Sequence, residues 1–174
     1  MTQVVSLSFF RFGSVSARLW AFAMMGLARG PMARVPGIGF WKLCGSGTGE
    51  GFTPKPNFGV YAILATWPDM DTARAQTNAS VFARYQRKAV ENWTVFLTPT
   101  SARGEWSGIA PFEPAETMTN GPIAALTRAS VKPGFLRGFW GRVPNISEKI
   151  GRDPSVLFKL GIGEKPWVQQ VTFS

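Results

Sequence analysis

Residues 4–10, Val-Val-Ser-Leu-Ser-Phe-Phe, are rich in β-formers and carry Ser at alternate positions, so they predict a strand. Ser14 or Ser16 can cap a helix running to about Leu27, and Pro31 and Pro36 end it. Gly39 to Cys44 predicts a short strand, followed by a glycine-rich loop from Gly45 to Gly51; Pro54 and Pro56 stiffen the next turn. Val60 to Trp67 is nearly all apolar, the pattern of a strand buried on both faces. Pro68-Asp69 breaks it and starts a helix, with Asp69 or Asp71 as cap, that is interrupted near Asn78 and runs to about Ala89. Trp93 to Leu97 predicts the next strand.

Strand, helix, strand, strand, helix, strand is the ferredoxin-like order. Residues 100–122 are rich in Gly, Pro, Ser and Thr and read as a connector. The pattern then restarts. Ile123 to Ala129 predicts a strand, Phe135 to Arg142 and Ile146 to Ile150 short helical pieces, Val156 to Leu160 a strand, then a Gly-x-Gly loop and a strand from Trp167 to Phe173. Trp41-Lys42-Leu43 matches Phe158-Lys159-Leu160, Gly45-x-Gly47 matches Gly161-x-Gly163, and Glu50 and Glu164 follow these loops. The expected fold class is therefore α+β. Two tandem ferredoxin-like units (1–99 and 123–174, joined by 100–122) form one domain resembling a dimeric α/β barrel, the second unit being incomplete. Such a barrel leaves an apolar cavity between sheet and helices.

Composition narrows the chemistry. The 174 residues contain no histidine, which excludes a Ser-His-Asp triad, a Cys-His pair and histidine-ligated zinc or non-haem iron. Cys44 is the only cysteine, so there is no internal disulfide; it is also the softest candidate metal ligand. The net charge of +9 favours an anionic membrane surface or an acidic partner; the cations are scattered, without the clustering expected of a nucleic-acid binder. No apolar run is long enough to span a bilayer, and the stretch from Leu19 to Leu27 does not read as a signal peptide, so a cytoplasmic location, peripheral at the inner membrane, is expected.

Fourteen Phe and seven Trp are enough to furnish a pocket as well as a core. Phe40, Trp41, Phe58, Tyr61 and Phe158 lie near the repeated blocks and are candidate pocket walls. Lys42 and Lys159 stand inside apolar strands, where a lysine is costly unless it points outward, is paired or has work to do. Arg103, in Ser-Ala-Arg-Gly, is a candidate anion contact.

Several segments resemble the spheroidene monooxygenase family of carotenoid biosynthesis. They are Phe40-Trp41-Lys42-Leu43, residues 47–57 (GTGEGFTPKPN), residues 60–69 (VYAILATWPD), Ser101-Ala102-Arg103-Gly104, Leu126-Thr127-Arg128-Ala129, Gly161-Ile162-Gly163-Glu164 and residues 170–174 (QVTFS). The resemblance implies an oxygenase that places a keto group near the end of an acyclic carotenoid such as spheroidene. It implies dioxygen, a reduced ferredoxin-type electron donor and haem. Without histidine, a haem ligand in this chain would be Cys44, a Tyr, a Met or a Lys. The alternative expectation is a non-enzymatic module that binds an apolar ligand such as a carotenoid, or an inactive fragment.

Overall fold

The structure is a computed structural model that describes residues 2–48, 55–116, 121–130, 158, 160–165 and 169–173. Strand β1 (Val4–Arg11) is buried at every position except Arg11. Its two serines are therefore interior groups that need partners. Ser6 Oγ accepts the Trp67 indole N–H at 2.8 Å, and the Thr94 hydroxyl donates to Ser8 Oγ at 2.8 Å. Helix α1 (Val15–Leu27) opens at Ser14, whose Oγ accepts the Ala17 N–H. The chain turns directly into a short helix α2 (Arg29–Met32), where Pro31 sits in the first turn and its missing N–H is not needed.

Strands β2 (Trp41–Gly47) and β3 (Pro56–Trp67) follow. Helix α3 (Met70–Thr77) is capped by Asp69, whose Oδ1 accepts the Thr72 N–H at 2.7 Å. That bond holds the Asp69 carboxyl below its ordinary pKa. The interruption expected near Asn78 separates α3 from α4 (Ser80–Lys88), and β4 (Glu91–Leu97) pairs antiparallel with β1 from Arg11–Glu91 to Val5–Leu97. Further on lie β5 (Leu126–Ser130), β6 (Leu160–Lys165) and β7 (Gln169–Phe173). The helical pieces expected at 135–142 and 146–150, and Lys159, lie outside the described residues.

Two compact units are present, one of Met1–Leu43 and Ala62–Pro122, the other of Cys44–Tyr61 and Ile123–Ser174. Strands β2 and β3 contribute to both. In the first unit the strand order is β4-β1-β3-β2. With helices after β1 and β3, this is the ferredoxin-like arrangement. Its interior is aromatic: Phe10 and Tyr85 have ring centroids 5.1 Å apart, Trp20 and Tyr85 5.2 Å, Trp67 and Phe82 6.0 Å. Each such pair adds about 0.5–1.5 kcal/mol beyond the area it buries.

In the second unit the order β6-β7-β5 repeats β2-β3-β1 of the first half. Here the glycine-rich stretches depart from expectation. Gly45–Gly47 and Gly161–Gly163 are strand, not loop, because they pair with each other: Gly45 faces Gly163 and Ser46 faces Ile162, antiparallel. Glycine is poor in strands because it packs nothing, yet here each supplies backbone bonds to an equally bare partner. The buried Ser46 hydroxyl donates to the Val60 carbonyl at 2.9 Å.

Candidate functional site

The best-built polar group in the first unit is Lys42, on β2. The segment leading to it is tied to β3 before the strand begins. The Gly39 N–H donates to the Thr66 carbonyl, the Thr66 N–H to the Phe40 carbonyl, and the Phe40 N–H to Thr66 Oγ1, all at 2.8–2.9 Å. A Cβ on residue 39 would stand 2.6 Å from Thr66 Oγ1, so only glycine permits this approach.

Phe40 is thus fixed as a wall. The Lys42 ammonium lies 5.1 Å from the Phe40 ring centroid and 5.9 Å from that of Trp106. It donates to Ser107 Oγ at 2.7 Å. Trp106 is 3% exposed, with its ring 5.4 Å from Phe40, and Phe112 meets the Phe40 ring edge-on. A cation held between ring faces and a hydroxyl is stabilised by the ring quadrupoles and by a charge-assisted hydrogen bond.

Trp106 and Ser107 come from residues 100–122, the expected connector. They are shaped by a tight turn, Trp106-Ser107-Gly108-Ile109, in which Ser107 has φ +58° and Gly108 φ +80°. The Trp106 N–H donates to the Ile109 carbonyl at 2.7 Å. Two left-handed central residues define a type I′ turn. Serine is strained there and glycine would not be; what glycine would lack is the hydroxyl that meets Lys42. The loop is pinned again further on. Gln3 donates from Nε2 to the Pro111 carbonyl and accepts the Glu113 N–H, and the Ala115 N–H donates to the Pro99 carbonyl.

Of the residues singled out from sequence, the structure brings Phe40 and Lys42 together. Trp41 is half-buried beside them on β2 and points to the other face of the strand. Arg103 is exposed on the loop that carries Trp106. Cys44, Tyr61, Phe58 and Phe158 belong to the second unit. Cys44 and Tyr61 are buried, and burial pushes the Tyr61 phenol above its ordinary pKa; Phe58 and Phe158 are 52% and 42% exposed. Trp106, Ser107 and Phe112 did not emerge from the sequence. The available signal was a large aromatic followed by Ser-Gly in a turn-rich stretch, since Trp seldom stays in water without covering something.

Haem needs an axial side chain that opens onto space for the iron and its ring. Among the described residues Cys44, Tyr61, Tyr85, Met24 and Met32 are each at most 3% exposed, packed by protein on all sides, and Lys42 is engaged by Ser107. None of these six side chains is placed as a haem ligand. The described residues contain no group of three or more Cys, Asp or Glu placed to hold a metal ion. What Lys42 can do is donate a further hydrogen bond to an oxygen atom of a ligand whose apolar body lies against the half-buried Phe40, with the buried Trp106 as backing.

The class defined by strand order is a ferredoxin-like α+β protein, here carrying a lysine in an aromatic nest. No family profile matches the chain. The spheroidene monooxygenase of Cereibacter sphaeroides is 51% identical over 174 residues, covering 99% of this chain and 54% of the relative. That of Rhodobacter capsulatus is 50% identical over 175 residues, covering 98% and 73%; that of Rubrivivax gelatinosus is 32% identical over 160 residues, covering 91% and 62%. The chain belongs to the spheroidene monooxygenase family, and it spans about half the length of the Cereibacter relative. Solved structures with a similar chain path include an asparagine-to-alanine mutant of SnoaB, a cofactor-independent oxygenase from Streptomyces nogalater (TM-score 0.40, 18% identity, 60% of this chain and 100% of that one). A protein of unknown function from Nitrosomonas europaea has TM-score 0.45 at 10% identity, over 62% of this chain and 98% of its own.

Proposed function

We propose that this chain acts in an oxygen-dependent carotenoid monooxygenase, and that its part in the reaction is to hold an acyclic carotenoid such as spheroidene beside Lys42. The reading is supported by membership of the family and by one geometric observation, the Lys42 ammonium set between Phe40, Trp106 and Ser107. The half-buried Phe40 ring suits a polyene, and the ammonium suits an oxygen function near its end. In the proposed reaction one atom of dioxygen enters a C–H bond near the chain terminus. The other leaves as water, with electrons from a reduced ferredoxin-type donor and protons from solvent. A second insertion at the same carbon followed by loss of water gives the keto group. The substrate is dissolved in a bilayer, so the proposed location is the cytoplasmic side of the inner membrane; no helix among the described residues is long and apolar enough to cross it. The division into two ferredoxin-like repeats, 1–99 and 123–174, belongs to the same proposal, as does a contribution of Trp41 and Arg103 to substrate holding in the first unit and of Phe58, Tyr61, Phe158 and Lys159 to ligand contact in the second.

The test is turnover of spheroidene under labelled dioxygen with a reduced ferredoxin, comparing the parent chain with Lys42→Met. A hydrogen bond to a charged group is worth about 1.5–3 kcal/mol, so Lys42→Met should lower kcat/KM by about ten- to a hundredfold with circular dichroism unchanged. Unchanged turnover would remove Lys42 from the reaction. Carotenoid bound by the parent chain without any product would instead establish a carrier.

A further inference from the structure

Helix α1 is apolar nearly all round: Val-Ser-Ala-Arg-Leu-Trp-Ala-Phe-Ala-Met-Met-Gly-Leu. Such a helix is ordinarily buried on every side. Here one side, marked by Ala21 and Met24, packs inward. Val15, Leu19, Phe22 and Gly26, spaced four, three and four residues apart, fall along one line on the opposite side. Val15 is 72% exposed, Leu19 65% and Phe22 58%, and Leu27 at the end of the helix is 71% exposed. Val15, Leu19 and Phe22 are adjacent side chains on one helix surface, not scattered single exposures; Leu27 lies roughly 110° round from them.

The charges that α1, α2 and the segments flanking them carry in the sequence have one sign. Residues 1–49 contain Arg11, Arg18, Arg29, Arg34 and Lys42 and no Asp or Glu. Arg11 is bridged to Glu91 at 2.7 Å. Arg18, on α1 itself, reaches back to the Phe12 carbonyl; Arg29 and Arg34 are exposed just beyond the end of the helix. Lys88 of α4 stands 5.7 Å over the Trp20 ring on the flank. An apolar line rimmed by arginine and lysine is the pattern of a helix that lies flat in a membrane interface, its apolar side among the acyl chains and its cations at the headgroups.

We propose that α1 docks this chain on an anionic bilayer, with Val15, Leu19 and Phe22 entering the interface and Arg18, Arg29, Arg34 and Lys88 meeting the headgroups. A second copy of the chain is the poorer occupant. A twofold contact through this face would bring the same cations toward each other with no acidic residue of α1 or α2 between them. The assignment extends the membrane part of the proposed function. Its readout is lipid binding rather than turnover, so a chain that oxidises carotenoid yet ignores vesicles refutes the docking and leaves the oxygenase reading standing.

The experiment is flotation of the whole chain with carotenoid-free vesicles, either equimolar phosphatidylglycerol and phosphatidylcholine or phosphatidylcholine alone. The parent should bind the anionic vesicles, less as salt rises, and not the neutral ones. Val15→Glu/Leu19→Glu should reduce that binding by about tenfold or more. Both sites are exposed, glutamate is a good helix former, and a carboxylate in the first turn suits the helix dipole, so the fold should persist. Ile109→Glu, equally an exposed apolar-to-acid change but in the Trp106–Ile109 turn, should bind as the parent does. With Cys44 buried, Leu19→Cys can be labelled with a polarity-sensitive dye, whose emission should shift to the blue on anionic vesicles. The docking is overturned if the parent ignores anionic vesicles, or if Val15→Glu/Leu19→Glu binds them as well as the parent. It is equally overturned if the parent is a dimer that this double change makes monomeric without any lipid binding, or if the face captures only an acidic protein.

Discussion

Removing the Trp106 side chain is the sharpest test of how residues 99–116 are held. Trp106 is 97% buried although it sits in a loop. An aromatic side chain of this kind removes about 150–250 Å² from water. At about 25 cal/mol per Å² this amounts to about 4–6 kcal/mol, and the compactness of the denatured chain trims it to about 3–5 kcal/mol. Measured Trp→Ala costs fall in the same range, about 3–5 kcal/mol. Three hydrogen bonds survive the change, two from the Gln3 side chain to the loop backbone and one between the Ala115 and Pro99 main chains, so the loop keeps its ends while losing its centre. Trp106→Ala should therefore lower the unfolding free energy by about 3–4 kcal/mol, a large share of the whole for a small protein. Guanidinium titration by circular dichroism measures that loss. Amide exchange should locate it, with protection falling first at Trp106 and Ile109 and least at Ala115. Trp106→Phe, which keeps a ring against Phe40, should cost less than half as much. A loss below about 1 kcal/mol, with amide protection at Trp106 unchanged, would show that the loop is not anchored by this ring and that the nest around Lys42 has a different cause.

Two further outcomes follow from buried or capping groups. Ser6→Ala leaves the Trp67 indole N–H without its acceptor inside the core and should cost about 1–3 kcal/mol; Ser6→Ala combined with Trp67→Phe should cost less than the sum of the single changes, and strict additivity in denaturant melts would refute the pairing. The folded-state pKa of Asp69 is depressed, so its contribution to stability is complete above the unfolded carboxyl pKa and disappears as pH falls through the folded one; Asp69→Asn should flatten the acid side of a Tm-versus-pH curve, and parallel curves would count against the cap.

The elements readable in the sequence are those whose pattern is local. Ser14 before an apolar helix, Asp69 after Pro68 and the unbroken apolar run into Trp67 each announce themselves within a few residues, and α1, α3 and β3 begin or end where these signals stand. The glycines at 45–47 misled because glycine carries no face to read, and their strand character comes from Gly163 and Ile162, more than a hundred residues away. Lys42 was conspicuous as a cation in an apolar strand. Its surroundings were not, because Trp106 and Ser107 reach it only through a left-handed turn in a stretch whose composition says no more than that the chain bends. The α1 surface escaped notice for the opposite reason: an apolar helix reads as core until the fold shows that one of its sides has nothing of the described protein over Val15 and Leu19.

The clasp between Gly39-Phe40 and Thr66 bears on how the Lys42 nest would discriminate among ligands. Phe40 is bonded at both its N–H and its carbonyl to a residue of the buried strand β3, so its backbone cannot swing aside to admit a poor fit. The ordering entropy of that wall is spent when the chain folds, not when a molecule arrives. Selection at such a surface is by shape already in place: a rigid, flat, conjugated chain loses little on contact, whereas a saturated chain of equal length would surrender its own torsional freedom against a wall that does not yield.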